Sequence, residues 1–476
     1  MIVAQFEPRE DAAAGHVSAL VAAGMWALAG YLILVPLLAP AFASAHNMAR
    51  AAQAGLLLLC AVGLLVGATL PAGPWPARYG LVCLALALAA CAGAERLLPA
   101  LRELALDVGL LGLALFVRRA VHVHGARWLV VAAVVAWALY GALFVIVACL
   151  AFVTERVPNG WMLVVGFDSP RFANHVQTVA IPLLAAATSA REAAPRLRLA
   201  AWWALVLSFV VLTLSFGRAS MLALLLAGGL AAVLFGAEGR RQVLHLLLAA
   251  CVGALIYGLV FVYLPDLTQG ETASGPLRDS MSMTADHSRF ALWRLAASYV
   301  EAHPWLGIGP MHFAHHVNPI GAHPHNIYLQ LASEAGVPLT LMLVLGALVG
   351  LLRAARCIRA GQTGGDRSFS IGLFLACVAA AVDGAFSGNF VMPLSQVWIA
   401  GAAGALAGLC VTPGAWADTP RPRARWPVLL LTAVQLWLAA ATWVEARHEV
   451  PRLGEPVKTN AAQGVWWPRY WLDGWF

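Results

Sequence analysis

Charged residues are scarce in this chain of 476 residues, because Asp, Glu, Lys and Arg together make up only 11% of it. Soluble globular proteins carry about 25% of such residues, so the composition excludes a soluble globular fold. Lysine is almost absent, and Lys458 is the single example. The net charge of +7 is carried by arginines that lie between apolar runs and form no basic patch. We therefore expect no nucleic-acid partner.

Long apolar runs take the place of the missing charges. Hydrophobic residues make up 61% of the chain, and its mean hydropathy is +0.78. Such runs are long enough to match the ~30 Å hydrocarbon core of a bilayer, so the sequence predicts an all-α integral membrane protein, in contact with membrane lipids, with about 12–13 transmembrane helices. The predicted spans lie near 16–43, 52–71, 77–95, 97–117, 128–153, 173–190, 198–216, 219–236, 242–264, 326–352, 369–387, 392–411 and 426–443.

This pattern divides the chain into four parts. Residues 1–264 form an N-terminal bundle of nine predicted spans, and residues 265–325 form one large loop with short helices. Residues 326–443 form the C-terminal transmembrane helices, the first of which opens with a polar turn at 326–336. Residues 444–476 form a Trp-rich tail, and its aromatic residues are typical of an anchor at the membrane interface.

Arginines mark alternate loops, and this alternation predicts an orientation. If the N-terminus lies inside, the inner loops hold most of the arginines, as the positive-inside rule requires. The large loop, the loop 154–172 and the tail then lie outside. The arginines assigned to the inside are Arg78, Arg118, Arg119, Arg127, Arg191, Arg196, Arg198, Arg240, Arg241, Arg353, Arg356, Arg359, Arg367, Arg421, Arg423 and Arg425.

Histidines concentrate in the large loop, where six of the 14 lie between residues 303 and 325. His312 has helical spacing to His315 and His316, which raises the possibility of a zinc site. The cluster has no cysteine and no H-E-x-x-H pattern, so we expect no metal and no other cofactor. His325 stands at the outer mouth of a span, where its imidazole is either a general base or a helix cap.

Arginines with two possible roles stand at the predicted outer edge. Arg218 lies between two apolar stretches, where it either snorkels at a tight helical hairpin or binds phosphate through its planar fork of donors. Arg289 lies in the large loop and has the same phosphate-binding interpretation. The turn at 304–310 contains Gly307 and Gly309, which predict a backbone that approaches a ligand closely.

A polar face opens the sixth predicted span. Arg171, Asn174 and Gln177 recur at helical spacing, so they share one side of the helix. A polar face on a membrane helix indicates either contact with a substrate or hydrogen bonds to a neighbouring helix.

The motifs around these residues resemble those of a known family. Gly307-Ile308-Gly309, then His325-Asn326 with Tyr328-Leu329-Gln330, then Glu334 and Gly336, resemble the signature of the O-antigen ligase and polymerase superfamily. The segment 213–219 is similar to that family's arginine-bearing helix edge, although Phe216 interrupts the usual Ser-Arg-Gly order. The resemblance covers roughly 160–345, and the first 150 residues and the tail match only by being helical.

The resemblance implies a GT-C-like fold and a metal-independent, inverting glycosyltransferase of the bacterial inner membrane. The donor would be a glycan on undecaprenyl diphosphate at the periplasmic side. The acceptor would be lipid A–core in an O-antigen ligase, a growing glycan in a polymerase, or a pilin-type protein in a protein O-oligosaccharyltransferase. A transporter of lipid-linked glycans is the alternative from another class, and it would predict inverted repeats and midplane charges that the sequence does not show.

Site residues follow from the resemblance by position. His325 would be the base on the acceptor hydroxyl, and Arg218 and Arg289 would hold the diphosphate. Apart from the resemblance, the aromatic residues of the tail leave contact with the acceptor open as the alternative to an interfacial anchor. The other expected substrate-binding residues are Arg171, Asn174, His323 as an orienting neighbour, and Asn326.

Overall fold

The computed structural model describes residues 15–67, 74–154, 160–269, 284–316, 318, 320–411, 426–450, 452, 467–474 and 476. These residues are mostly helical and contain no β-strand beyond two isolated bridges, Phe42 with Arg452 and Trp467 with Asp473. The predicted all-α integral membrane fold is confirmed.

The helices follow the predicted spans closely. The N-terminal helices are α1 (Gly15–Leu38), α2 (Ala45–Gly67), α3 (Pro74–Ala92), α4 (Leu97–His124), α5 (Arg127–Thr154), α6 (Gly160–Leu163), α7 (Pro170–Ser189), α8 (Pro195–Leu214), α9 (Arg218–Leu234) and α10 (Gly236–Tyr257). A π-helical segment (Gly258–Tyr263) leads into α11 (Leu264–Gln269). The remaining helices are α12 (Thr284–Ala302), α13 (Ile327–Ala335), α14 (Val337–Arg359), α15 (Arg367–Asp383), α16 (Pro393–Leu409) and α17 (Trp426–Glu449).

Seven of the described helices are long and apolar enough to cross a membrane. They are α1, α2, α5, α8, α10 with its π-helical extension, α14 and α17. Helices α3, α9 and α16 are apolar but offer shorter stretches. Helix α4 carries charges that find partners inside the protein, since Arg102 pairs with Glu445 of α17 at 2.8 Å. The expected total of about 12–13 crossings stays a prediction.

The predicted tenth span at 326–352 divides where its polar opening at 326–336 ends. The polar part forms α13 and the apolar part begins α14, and Gly336 separates the two helices at φ +83°. A side chain at Gly336 would collide with the backbone of Trp305, so the helix breaks where the large loop packs closely against it.

Loops predicted on one side of the membrane meet at one end of the molecule. Residues 125–127, 192–193 and 364–366 line a common cleft, and Arg367 pairs with Glu238 at 3.0 Å beside it. These loops carry or adjoin arginines that the sequence assigned to the inner side, namely Arg127, Arg191 and Arg367. The segment 412–425, with its three arginines, lies outside the described residues.

The described end of the tail packs inside the protein. Arg469, Tyr470 and Trp471 are 1%, 1% and 5% exposed, so these three residues do not lie at a lipid-facing surface. The isolated bridge between Phe42 and Arg452 lies at this same end of the chain. Trp466 and Trp475 lie outside the described residues.

Candidate active site

A cavity of about 430 Å³ lies where α7 and α9 begin, beside α12 and the loop before α13. The structure therefore brings together residues that are far apart in the sequence. Six of the seven sequence-predicted site residues line this cavity: Arg171, Asn174, Arg218, Arg289, His323 and His325.

The turn between α8 and α9 places Arg218 at the cavity. Helix α8 ends at Leu214, and Phe216 takes a left-handed conformation at φ +51°. A side chain at Gly217 would meet the Asn174 amide, so the turn packs tightly on α7. The Ser215 hydroxyl donates to Asn174 Oδ1 at 2.7 Å. Arg218 is consequently the first residue of α9 and is exposed to the cavity.

The first turns of helix α7 line the cavity, and the rest of the helix packs inside the helical bundle. Arg171 and Asn174 line the cavity. Gln177 is fully buried one turn further, where its side-chain nitrogen donates to the carbonyl oxygen of Ser208 at 2.9 Å. Hydrogen bonding to a neighbouring helix is therefore confirmed for Gln177, whereas contact of Arg171 and Asn174 with a substrate stays a prediction.

Arg289 reaches the cavity from the second turn of α12 and is half-buried. The helix is held against the loop before α13, because the Trp293 indole donates to the carbonyl oxygen of Pro324 at 3.0 Å. Leu292, Ala296 and Phe313 pack beneath this contact. Helix α12 and the histidine loop thus form one wall.

His325 is held in a left-handed conformation at φ +52° and is surrounded by positive charge. Burial lowers the pKa of its imidazole and the guanidinium groups of Arg289 and Arg171 add to this effect, so that together they bring the pKa to about 3. His323 Nδ1 accepts from the His325 backbone N–H at 3.2 Å. The two rings lie 4.1 Å apart, and burial also holds the pKa of His323 well below its usual range. The imidazole of His325 is therefore neutral at pH 7.

A second polar group in the cavity wall was missed by sequence reasoning. Asp383 is fully buried at the end of α15, and its oxygens accept from Ser220 at 3.2 Å and Ser387 at 2.6 Å. His175 Nδ1 lies 3.7 Å from the same carboxylate. An acidic residue inside the apolar span 369–387 was the available signal, because such residues are costly in a membrane helix.

Two carboxylates and three arginines line the cavity. The oxygens of Asp168 accept from the backbone N–H groups of Ala45 and His46, both at 2.8 Å, and so cap α2. Asp383 is bonded to serines. Both carboxylates are thus engaged within the protein, and the cavity presents a positively charged site suited to an anion.

Asn326 is absent from the lining of this cavity, and its expected place among the substrate contacts stays a prediction. Its Oδ1 accepts from the N–H groups of Tyr328 at 3.0 Å and Leu329 at 3.1 Å. Asn326 is therefore the N-cap of α13, the role that the sequence had offered as an alternative for His325.

Gly307 and Gly309 make close approaches to other parts of the protein, where the sequence had predicted an approach to a ligand. Gly307 has φ +67°, and a side chain there would collide with the backbone of Glu334. The Ile308 and Gly309 N–H groups donate to the carbonyl oxygens of Ser333 at 2.8 Å and Glu334 at 2.9 Å. The motif thus fastens the loop to the end of α13.

The histidines at 312 and 315 make contacts within the protein. His312 Nε2 accepts from the Arg96 backbone N–H at 2.9 Å, and its Nδ1 lies 2.9 Å from the carbonyl oxygen of Pro310. His315 Nδ1 lies 2.8 Å from the carbonyl oxygen of Phe476. Among the residues that the structure describes, no group of three or more His, Cys, Asp or Glu is arranged to hold a metal ion.

The O-antigen ligase family model matches residues 203–344 of the chain. The matched region includes Arg218, Arg289, His323 and His325, whereas Arg171 and Asn174 precede it. This match confirms the predicted resemblance to the O-antigen ligase and polymerase superfamily and supports membership of it. A search among curated proteins finds no match to the chain.

Proposed function

We propose, from membership of the O-antigen ligase and polymerase superfamily, that this membrane protein transfers a glycan from undecaprenyl diphosphate to an acceptor hydroxyl. The observation that carries the proposal is the grouping of three arginines and a neutral histidine around one cavity. A lipid diphosphate requires cationic ligands, and an attacking hydroxyl requires a base.

The arginines are the diphosphate ligands in this proposal. Arg218 and Arg289 neutralise the charge that grows on the leaving diphosphate, and Arg171 adds a third guanidinium. Arg218 also begins α9, a helix of 17 residues, so the positive end of the helix dipole faces the same anion. These groups supply the charge stabilisation that a divalent metal gives in other enzymes, so the proposed transfer is metal-independent.

His325 is the proposed catalytic base. Its neutral imidazole accepts the proton of the acceptor hydroxyl while the hydroxyl oxygen forms a bond to the anomeric carbon. The bond from that carbon to the diphosphate oxygen breaks on the opposite face, and undecaprenyl diphosphate leaves. A single displacement of this kind inverts the anomeric configuration. His323 holds the backbone of His325 in position through its Nδ1.

The cavity is proposed to face the periplasm across the bacterial inner membrane. The arginine-rich loops around the cleft at 125–127 belong to the predicted inner side, whereas the cavity is lined by segments that all belong to the predicted outer side. A donor in the outer leaflet reaches such a site laterally from the bilayer.

Lipid A–core is the acceptor we favour, with a pilin-type protein or a growing glycan as the alternatives within the superfamily. The test is reconstitution in liposomes with a labelled undecaprenyl-diphosphate glycan, with lipid A–core and pilin offered in parallel. Transfer to lipid A–core supports the favoured acceptor, and transfer to pilin or elongation of the glycan replaces it with one of the alternatives.

Point variants test the roles of the residues. We expect His325→Ala to abolish transfer without loss of folded protein, while His303→Ala, an exposed histidine of the same loop, keeps full activity. Full activity of His325→Ala would remove the base assignment.

Arg218→Lys and Arg289→Lys should lower activity about tenfold or more, because lysine cannot make the bidentate contact to phosphate.

A further inference from the structure

The C-terminal segment Trp467–Gly474 reaches the cavity from a part of the chain that the family match does not cover. Trp467 and Pro468 lie in the cavity wall together with His323 and Met392. Trp467 thus adds an indole-bearing residue to a site that arginines, histidines and polar residues line together with apolar residues such as Phe172 and Phe216.

A buried guanidinium anchors this segment. Arg469 is 1% exposed and donates to Glu334 of α13 at 2.5 Å and to Glu103 of α4 at 3.2 Å. Removing one member of such a cluster would leave a buried charge unpaired. The ion pairs therefore hold the segment in one position against both helices. Because Asn326, the N-cap of α13, directly follows His325, the same helix links the segment to the His325 loop.

The backbone of the segment is held from a second side by the start of α2. Arg50 Nε donates to the carbonyl oxygen of Tyr470 at 3.0 Å, and Asn47 Oδ1 accepts from the Leu472 N–H at 2.7 Å. The same helix end is capped by Asp168 in the cavity wall. The segment is therefore fixed to both sides of the cavity.

A closed turn presents Trp467 at the edge of the segment. The Gly474 N–H donates to the Trp467 carbonyl oxygen at 3.0 Å, and Trp467 forms an isolated bridge with Asp473. A side chain at Gly474 would collide with that carbonyl oxygen, so the turn closes only with glycine there. The backbone of Trp467 is thus set by the turn, and Pro468 further restricts the chain beside it.

We propose that Trp467 binds substrate, with its indole packed against the apolar face of a sugar ring, and that Arg469 positions it. This inference rests on the proposed glycan transfer. Sugar rings present a C–H face that packs on aromatic rings, and the indole is large and rigid. The arginines hold the diphosphate, whereas Trp467 holds a ring of the donor or of the acceptor glycan.

The test compares Trp467→Phe, Trp467→Leu and Trp467→Ala in the full-length protein in liposomes. The control is Trp305→Ala, because Trp305 is 74% exposed and does not line the cavity. The KM is measured for the labelled undecaprenyl-diphosphate glycan and for whichever of lipid A–core or pilin the wild type accepts. Donor binding without turnover is measured in the His325→Ala background.

Loss of the aromatic ring in Trp467→Leu and Trp467→Ala should raise the KM for the donor or the KM for the acceptor about tenfold. The kcat and the amount of folded protein should stay unchanged in both variants. Trp467→Phe keeps an aromatic ring, so its KM values should stay near those of the wild type. A change in donor KM and donor binding assigns the contact to the donor sugar, and a change in acceptor KM alone assigns it to the acceptor. Trp467→Leu with wild-type KM values for both substrates would overturn the proposal. Lack of transfer by the wild type would instead refute the proposed function itself.

Discussion

His325 and Arg289 act on each other within the cavity. Burial and the guanidinium groups of Arg289 and Arg171 together lower the pKa of the His325 imidazole to about 3. A base with so low a pKa is neutral at pH 7 but accepts a proton weakly. In the proposed reaction, a bound diphosphate would bring negative charge beside the same arginines, so it would offset their effect and raise the pKa of His325 in the donor complex.

This coupling predicts a specific pH dependence. Protonation removes the base, so activity falls as the pH drops through the pKa of His325. The acid limb of kcat/KM, which reports the free enzyme, should lie well below pH 6.5. The acid limb of kcat, which reports the donor complex, should lie at higher pH. Rate profiles at saturating and limiting donor concentration check both limbs.

Arg289→Gln sharpens the same prediction. The substitution removes a positive charge that lowers the pKa of His325, so the acid limb of kcat/KM should move to higher pH. The control is Arg294→Gln, an exposed arginine on the same helix. Coincident acid limbs near pH 6.5 in wild type and Arg289→Gln would contradict the coupling.

Helix α13 connects the loop that carries His325 to the rest of the protein through contacts at both helix ends. Asn326 caps the first turn directly after His325. At the other end, Gly309 and Arg469 contact the backbone and the carboxylate of Glu334. The orientation of His325 consequently depends on a short helix whose ends are both fixed by specific contacts.

The cap gives Asn326 a testable role. We expect Asn326→Ala to lower the free energy of unfolding by about 1 kcal/mol, because two backbone N–H groups lose their acceptor. Asn326→Asp keeps that acceptor and should retain both stability and activity. Thermal denaturation in detergent and transfer assays measure the two effects, and Ser298→Ala on α12 is the control. Equal loss of donor affinity in both Asn326 variants would contradict a role limited to capping and would favour the predicted substrate contact.

The sequence predicted the elements whose signals are local. Hydropathy located the spans, and the motif around His325 together with Arg218 and Arg289 located the cavity. The Gly336 break and the buried Arg469 depend on contacts with residues more than a hundred positions away or in another loop. The pair of His175 and Asp383 likewise joins two helices that the sequence separates. The capping role of Asn326, in contrast, could have been predicted from the sequence, because an asparagine directly before a helix is a capping signal.

The loops of the described residues gather at two different ends of the molecule. This separation supports the proposal that the cavity faces the periplasm. One end holds the cleft at 125–127 and the loop between α14 and α15. The other holds the cavity, the turn of α8 and α9, and the segment Trp467–Gly474. Because the arginine-rich loops gather at the first end, the positive-inside rule predicts that this end faces the cytoplasm.

Cysteine labelling tests that orientation directly. In a chain whose eight native cysteines are replaced, single cysteines are introduced as His303→Cys at the cavity end and Gln362→Cys at the opposite end, both exposed positions. An impermeant maleimide applied to intact spheroplasts should label position 303, since it faces outward. Position 362 should react only after permeabilisation, and glycan transfer by each variant shows that it is folded. The reverse labelling pattern would place the cavity in the cytoplasm, where the three arginines and His325 could not meet a donor in the periplasmic leaflet.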